Sequence, residues 1–219
     1  MSKKIHRFFS CHPPFDELKA AALKRLESET ILKEYSKTET VFTAGEPADY
    51  LFTLVKGRVD LQYTSTLGHV VSSCIVYPGE FFCCLPFLDE GSYPSTAVCA
   101  SRCVILKTPV RTMRGIAGEV PLFLNAMTRL CAAKLRRIDG RNMQVFEPAE
   151  KRVARMLVEL EQRLGSEIEI TRSEVAQLCA MAPETAIRIV SSLQKRGIIG
   201  GHRGVIRILN LGLLKRMSS

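Results

Sequence analysis

ITRSEVAQLCAMAPETAIRIVSSLQKRGIIGGHRGVIRIL, residues Ile170 to Leu209, carries the densest structural signal in the chain. Thr171 followed three residues later by Glu174 is a capping box, so a helix starts there. Val175, Ala176 and Leu178 supply its apolar positions. Ala180-Met181-Ala182 is a tight connection. Pro183 suits the first turn of the next helix, where the missing N–H has no partner to lose. Ala186, Ile189, Val190 and Leu193 then make one buried face, and Glu184, Arg188, Ser191 and Lys195 the opposite one. Two short helices joined in this way form a helix-turn-helix with a recognition helix. IIGGHRGVIRIL adds two strands joined by His202-Arg203-Gly204, a wing.

The exposed groups have the chemistry of base edges. Arg188 can give two hydrogen bonds to guanine O6 and N7, and Glu184 can accept one from cytosine N4. Four residues apart, they share a helical face. Thr171, Arg172, Thr185, Ser191, His202 and Arg203 suit phosphates, which position a protein on a duplex without specifying sequence. The competing reading of Glu184 and Arg188 is a surface i,i+4 ion pair.

Upstream, AEKRVARMLVELEQRLG is an amphipathic helix closed by Gly165. Before Pro148, a long helix is expected from Val120 to about Phe146. Leu124, Met127, Cys131, Leu135, Ile138, Asn142 and Val145 recur on it every three or four residues. That seam fits a dimer interface or packing on the rest of the chain. Gly140 weakens the helix by about 1 kcal/mol relative to alanine. From about Thr30 to Thr108 the pattern changes to short alternating runs: VFTAGEP, YLFTLVKGRVDLQY, HVVSSCIVYPGE and STAVCASRCVILKT. Gly45, Gly57, Gly68 and Gly79 punctuate them, which predicts an antiparallel roll. Pro14 to Leu26 reads as a short helix. The fold class is therefore α+β, with a β-roll over 1–119, a long helix over 120–146 and a winged helix-turn-helix over 147–219.

The chain has 219 residues and a formal net charge of +9. Residues 1–128 hold 14 Lys/Arg against 13 Asp/Glu, whereas residues 129–219 hold 17 against 9. A neutral front half joined to a basic back half suits a polyanionic partner, double-stranded DNA. No apolar run reaches a membrane span, and no signal peptide is evident, so a cytoplasmic protein is expected. The eight cysteines include no Cys-x-x-Cys, which argues against a zinc ribbon or an iron–sulfur cluster. The four histidines are scattered, and no Gly-x-Ser-x-Gly or phosphate loop occurs, so no enzyme chemistry is expected.

A roll with spaced glycines, a long helix and a winged helix-turn-helix together resemble the CRP/FNR family of bacterial transcription regulators. Glu184-Thr185-x-x-Arg188 matches the family's E-T-x-x-R, and Gly79-Glu80 matches its sensor cassette. The resemblance implies a homodimer paired through the long helix, with Leu124 to Val145 as the interface. It also implies a near-palindromic DNA site and RNA polymerase as a further partner. Two departures argue against cyclic AMP as the ligand. Tyr93-Pro94-Ser95-Thr96-Ala97 stands where the family's nucleotide binders have an Arg-Ser pair, and a buried phosphate without a cation is costly. Ile138-Asp139 stands where they have a Thr-Ser pair. The oxygen-sensing branch has an N-terminal cysteine cluster; here only Cys11 is present, against an iron–sulfur sensor. Ala180 replaces a common turn glycine. Ile187, just before the arginine, fits either a thymine methyl or the helix's inner face.

The segment Gly79, Glu80, Phe82, Cys83, Cys84 and Leu85 is the expected effector region. Four readings stay open. Cys83 matches the position of a haem-ligating cysteine in the family's carbon-monoxide sensor, although Leu85 replaces the nearby histidine; nitric oxide is a second gas. Cys83 with Cys84, or Cys99 with Cys103, could act as a thiol redox pair. An apolar organic molecule could enter the roll. Finally, these side chains could simply be core.

Overall fold

A computed structural model describes the backbone of residues 2–66, 68, 70–143 and 146–219. The chain forms two compact units, Met1–Tyr63 with Cys74–Ile138 and Thr64–Ser73 with Asp139–Ser219.

Residues 31–109 form eight strands: β1 (Ile31–Tyr35), β2 (Thr40–Phe42), β3 (Tyr50–Lys56), β4 (Val59–Thr64), β5 (Val70–Val76), β6 (Phe81–Phe82), β7 (Thr96–Cys99) and β8 (Cys103–Pro109). They make two four-stranded sheets, ordered β1-β8-β3-β6 and β2-β7-β4-β5. The paired registers are antiparallel throughout. Gly45, Gly57, Gly68 and Gly79 all have positive φ, between +79° and +98°, a backbone region that a side chain disfavours. At Gly57 the requirement is steric as well, because a Cβ would lie 2.4 Å from the carbonyl oxygen of Arg102.

The core has two layers, and β3 and β8 divide them. Phe52, Leu54 and Ile105 point into the space between the sheets, with Phe42, Phe82 and Tyr93. Leu51 and Leu106 point the other way, into a cluster with helix side chains. This explains why β3 is buried almost without interruption rather than on alternate residues.

The helices over the second face are α1 (Ser2–Phe9), α2 (Ala20–Glu29), α4 (Val110–Glu119) and α5 (Pro121–Met143), with the short α3 (Leu85–Asp89) beside them. The expected helix over Pro14–Leu26 is split. Phe15–Glu17 is one 3-10 turn, Leu18 is extended, and α2 begins at Ala20. Phe15 and Leu26 are nonetheless both buried. Arg114 of α4 holds α3 in place. It donates to the carbonyls of Pro86 and Phe87 at 2.6 and 3.0 Å and pairs with Glu90 at 3.0 Å.

The long helix runs through Gly140 to Met143, three residues short of the expected end. Residue 145, placed in the seam from sequence, lies outside the described residues, as does the side chain of Asn142.

The second unit contains α6 (Ala149–Leu164), β9 (Glu167–Glu169), α7 (Arg172–Leu178), α8 (Pro183–Lys195), β10 (Ile199–His202), β11 (Val205–Ile208) and α9 (Leu211–Ser218). β9, β10 and β11 form a small antiparallel sheet in the order β10-β11-β9. Its core is apolar: Val153, Leu157, Leu160, Val175, Ala186, Val190, Leu193, Ile198 and Leu214 are all buried. Gly165 closes α6 at φ +91°.

Gly57→Ala places a methyl against backbone that cannot yield. It should lower stability by about 2 kcal/mol, read as a drop in the denaturant midpoint at unchanged m-value.

Candidate DNA interface and sensor cassette

The helix-turn-helix is assembled by local hydrogen bonds. The Thr171 hydroxyl accepts from the Glu174 N–H at 3.2 Å, and a Glu174 carboxylate oxygen accepts from the Thr171 N–H at 2.7 Å. These two bonds close the capping box predicted from sequence. They commit the oxygen of Thr171 to the cap and leave its proton to donate.

Between α7 and α8, Ala180 has φ +46°. The turn is therefore the usual left-handed one, built with alanine in place of glycine, at a cost of about 1–2 kcal/mol. Arg152 of α6 steadies it by donating to the carbonyl of Cys179 at 2.9 Å. Sequence reasoning missed this residue. Its only signal is a basic side chain at the edge of the buried face of α6.

On α8, Glu184 and Arg188 are exposed and Ala186, Ile189, Val190 and Leu193 are buried. Among the described residues, neither Glu184 nor Arg188 takes part in an ion pair, so the i,i+4 pair is not formed. Ile187 is 42% exposed and points away from the core. Thr185 and Ser191 are half-buried on the flanks.

Beside α8, a groove of about 760 Å³ is lined by Thr171, Arg172, Gln194, His202 and Arg203. Thr171, Arg172, His202 and Arg203, the expected phosphate contacts among them, are four of its twelve lining residues. Arg172 donates to the Gln194 side chain at 3.3 Å, which extends it along the groove. His202 and Arg203 are exposed at the tip of the wing. The wing needs Gly201, where φ is +112° and a Cβ would lie 2.3 Å from the Val205 carbonyl oxygen.

The cassette in the first unit is organised by the turn at Gly79-Glu80. The Gly79 N–H donates to the Leu54 carbonyl at 2.8 Å, and Leu54 N–H donates to the Glu80 carbonyl at 2.9 Å. The Glu80 carboxylate faces α5. Arg137 grips it with two bonds, at 2.8 and 3.2 Å, and donates also to the Ile75 carbonyl at 2.9 Å and the Cys74 sulfur at 3.3 Å. The guanidinium lies 5.7 Å from the centre of the Tyr77 ring. One turn earlier, Lys134 donates to the Phe81 carbonyl at 3.0 Å. Burial alone would push the Glu80 carboxyl up, but the hydrogen bonds and charge of Arg137 outweigh it and hold the carboxyl below its ordinary range. Lys134 and Arg137 were overlooked because the long helix was read through its apolar positions only.

The remaining cassette residues part company. Phe82 and Cys83 join the core between the sheets, and Cys84 joins the cluster beneath the helices. Leu85, 37% exposed, opens α3. Cys83 has φ +61°, and burial pushes its thiol up, against formation of a thiolate. Phe42, Phe52, Phe82 and Tyr93 pack ring to ring at 4.1–6.0 Å between centroids. Cys83 packs in the same cluster as those rings. The Tyr93 hydroxyl donates to the Tyr50 carbonyl at 2.9 Å, and Ser95 is buried. The Tyr93-Pro94-Ser95 stretch thus brings no cation to the roll. Cys83 and Cys84 face different clusters, whereas Cys99 and Cys103 share one, with the Cys103 thiol donating to the Arg58 carbonyl at 3.2 Å.

The predicted seam on α5 divides in two. Met127 and Cys131 are buried, with Phe123, against their own roll, and Ile138 packs half-buried beside it. Leu124 and Leu135 are exposed, at 39% and 46%. At about 100° per residue, Leu124 and Leu135 lie within about 40° of Cys131 on the helix, so the seam is one broad face, buried along Phe123, Met127 and Cys131 and exposed along its edge at Leu124 and Leu135.

Comparison with known proteins agrees with this layout. Residues 32–120 match a family model described as a cyclic nucleotide-binding domain. Residues 151–217 match one described as a Crp-like helix-turn-helix domain. The Cyclic AMP receptor protein of Thermus thermophilus is 27% identical over 84% of this chain and 86% of its own. The cAMP-activated global transcriptional regulator CRP of Haemophilus influenzae is 28% identical over 78% of this chain and 80% of its own. The crystal structure of FixK2 from Bradyrhizobium japonicum has the same fold, with a TM-score of 0.77 at 20% identity, covering 87% of this chain and 98% of that one.

The lowered Glu80 carboxyl makes stability depend on pH. Its contribution is complete above the ordinary value of 4.5 and is lost as pH falls through the lowered folded value. Glu80→Gln should therefore be less stable than the parent by about 2 kcal/mol at neutral pH. The difference should close in acid, as measured by urea titrations at a series of pH values.

Proposed function

We propose that this chain, which belongs to the CRP/FNR family of transcription regulators, binds a near-palindromic DNA site as a homodimer. In this proposal α8 lies in the major groove, with Arg188 on a guanine and Glu184 on the paired or neighbouring cytosine. Thr171, Arg172, Thr185, Ser191, His202 and Arg203 hold the flanking phosphates. One observation carries it: Glu184 and Arg188 stand exposed one turn apart, outside any ion pair among the described residues, beside a groove lined by Arg172, His202 and Arg203.

Pairing of two copies would use the exposed face of α5, with Leu124 and Leu135. Two recognition helices then address successive major grooves about 34 Å apart. The buried face, with Met127 and Cys131, couples that pairing to the roll. The effector, in this proposal, is not a cyclic nucleotide: Pro94 offers no cation for a phosphate, and Tyr93 is stacked on Phe42 at 4.1 Å. An agent acting on the apolar or thiol groups of the cassette suits those observations better. RNA polymerase is the partner through which a bound dimer would act, in the cytoplasm; among the described residues no helix is long and apolar enough to cross a membrane.

Selection from a randomised duplex pool should return an inverted repeat with a G·C pair in each half. Arg188→Ala should lose about 1–3 kcal/mol of discrimination at that pair, and unchanged preference in a gel-shift series would remove the assignment. Leu124→Glu with Leu135→Glu should give a monomer by light scattering and lose most of the DNA affinity. A double variant that stays dimeric would move the interface elsewhere.

A further inference from the structure

Two cysteines left over by the sensor and DNA readings meet at the junction between the cassette and the long helix. Cys84 is the last residue before α3, and Cys131 sits near the middle of α5. Both are buried in the same cluster, at 7% and 2% exposure, with Phe81, Phe87, Phe123 and Met127. Each thiol shifts the ionisation of the other. Lys134, one turn along α5 from Cys131, brings its ammonium to the same place through its bond to the Phe81 carbonyl.

Neither of the cysteine pairs suggested by sequence has this placement. Cys83 faces the other core cluster. Cys99 and Cys103 flank one tight turn between β7 and β8, so a bond between them would tie the turn to itself. Cys84 and Cys131 are 47 positions apart and belong to the two parts whose relation a regulator of this kind must change.

We propose that Cys84 and Cys131 form an oxidisable dithiol whose disulfide staples the sensor cassette to the long helix. The oxidant is a peroxide. The Cys84 thiolate attacks one peroxide oxygen, the O–O bond breaks, and the second oxygen leaves as hydroxide and takes up a proton to become water. Cys84 is then a sulfenic acid. The Cys131 sulfur attacks it, the S–S bond forms, and the sulfenic oxygen departs as a second water with the proton of Cys131. Two thiols and one hydrogen peroxide give one disulfide and two waters.

The environment favours Cys84 as the attacking sulfur. The neighbouring Cys131 thiol lowers that of Cys84 to about 7, against burial, which raises it, and with help from Lys134. Cys131 is shifted the other way by its Cys84 neighbour and by burial, so it stays protonated until the sulfenic acid appears. Once closed, the bond fixes the face of α5 that carries Cys131 to the start of α3. The exposed face with Leu124 and Leu135 is then held in a single arrangement. That regulatory consequence rests on the DNA-binding function proposed above, whereas the cross-link itself does not.

The test uses the full chain with Cys11→Ser, which removes the exposed cysteine and its intermolecular disulfides. Reduced protein is treated with hydrogen peroxide at a small molar excess, the remaining thiols are alkylated in denaturant, and peptides are mapped without reduction. A Cys84–Cys131 linked peptide is expected as the main product, reversed by dithiothreitol. Alkylation of both cysteines at full yield after treatment, or a Cys99–Cys103 link alone, overturns the proposal. With Cys131→Ser, Cys84 should stop at the sulfenic acid and be captured by dimedone. Lys134→Met should slow disulfide formation severalfold in the otherwise unaltered pair, a readout that does not depend on replacing either sulfur. Oxidised and reduced parent should differ at least fivefold in affinity for the selected duplex. A link that forms without changing that affinity confines the staple to stability and overturns its regulatory part. A protein that binds no duplex in either state, yet still forms the link, removes the DNA function instead.

Discussion

The grip of Arg137 on Glu80 is the contact on which the first unit depends. Four acceptors converge on one guanidinium: both carboxylate oxygens, the Ile75 carbonyl and the Cys74 sulfur. The pair is about three-quarters buried on each side, so separating it strands two charges where water cannot fully replace the partner. Lys134 adds a bond to the carbonyl of Phe81, the residue after Glu80. The long helix is thus attached to the roll by directional, charged contacts at one place and by apolar packing of Phe123, Met127 and Cys131 beside it. A sliding movement of α5 must break the first kind before it can relax the second.

The DNA-binding unit follows another logic. Its elements are short, and their ends are settled by small local devices: the capping box at Thr171, the left-handed turn at Ala180, and the glycine at 201. Each device fixes where a polar group stands relative to α8. Apolar burial supplies the cohesion, at about 1.5–3 kcal/mol for each large side chain removed from water. The polar devices supply direction.

Much of this was legible in the residues. Gly45, Gly57, Gly68 and Gly79 marked turns that all have positive φ, because a chain reversal at that backbone angle selects glycine strongly. The capping box and Pro183 located α7 and α8 for equally local reasons. α4 was not foreseen: VRTMRGIAGE contains Gly115 and Gly118, and its helicity comes from burying Val110, Met113 and Ile116, which only the tertiary structure provides. The division of the α5 seam into a buried strip and an exposed edge was hidden for the same cause, since periodicity marks an apolar face but not how much of it the roll covers. At Cys83 and Ala180 the glycine rule runs backwards. Both have positive φ without being glycine, and no sequence pattern announces a residue that breaks the preference it would be recognised by. The turn at Gly79-Glu80 was legible from its glycine, which has positive φ. Its partners on α5 were not, because a salt bridge across 57 residues leaves no local trace.

Arg152 donates to the carbonyl of Cys179, so the alanine turn is braced from α6 rather than by its own sequence. The pose of α8 is therefore not a property of residues 171–195 taken alone. A fragment cut at the start of α7, or a motif transplanted onto a foreign scaffold, would carry its reading groups but lose the strut that aims them. The smallest autonomous reading head of this molecule has to begin upstream of Arg152.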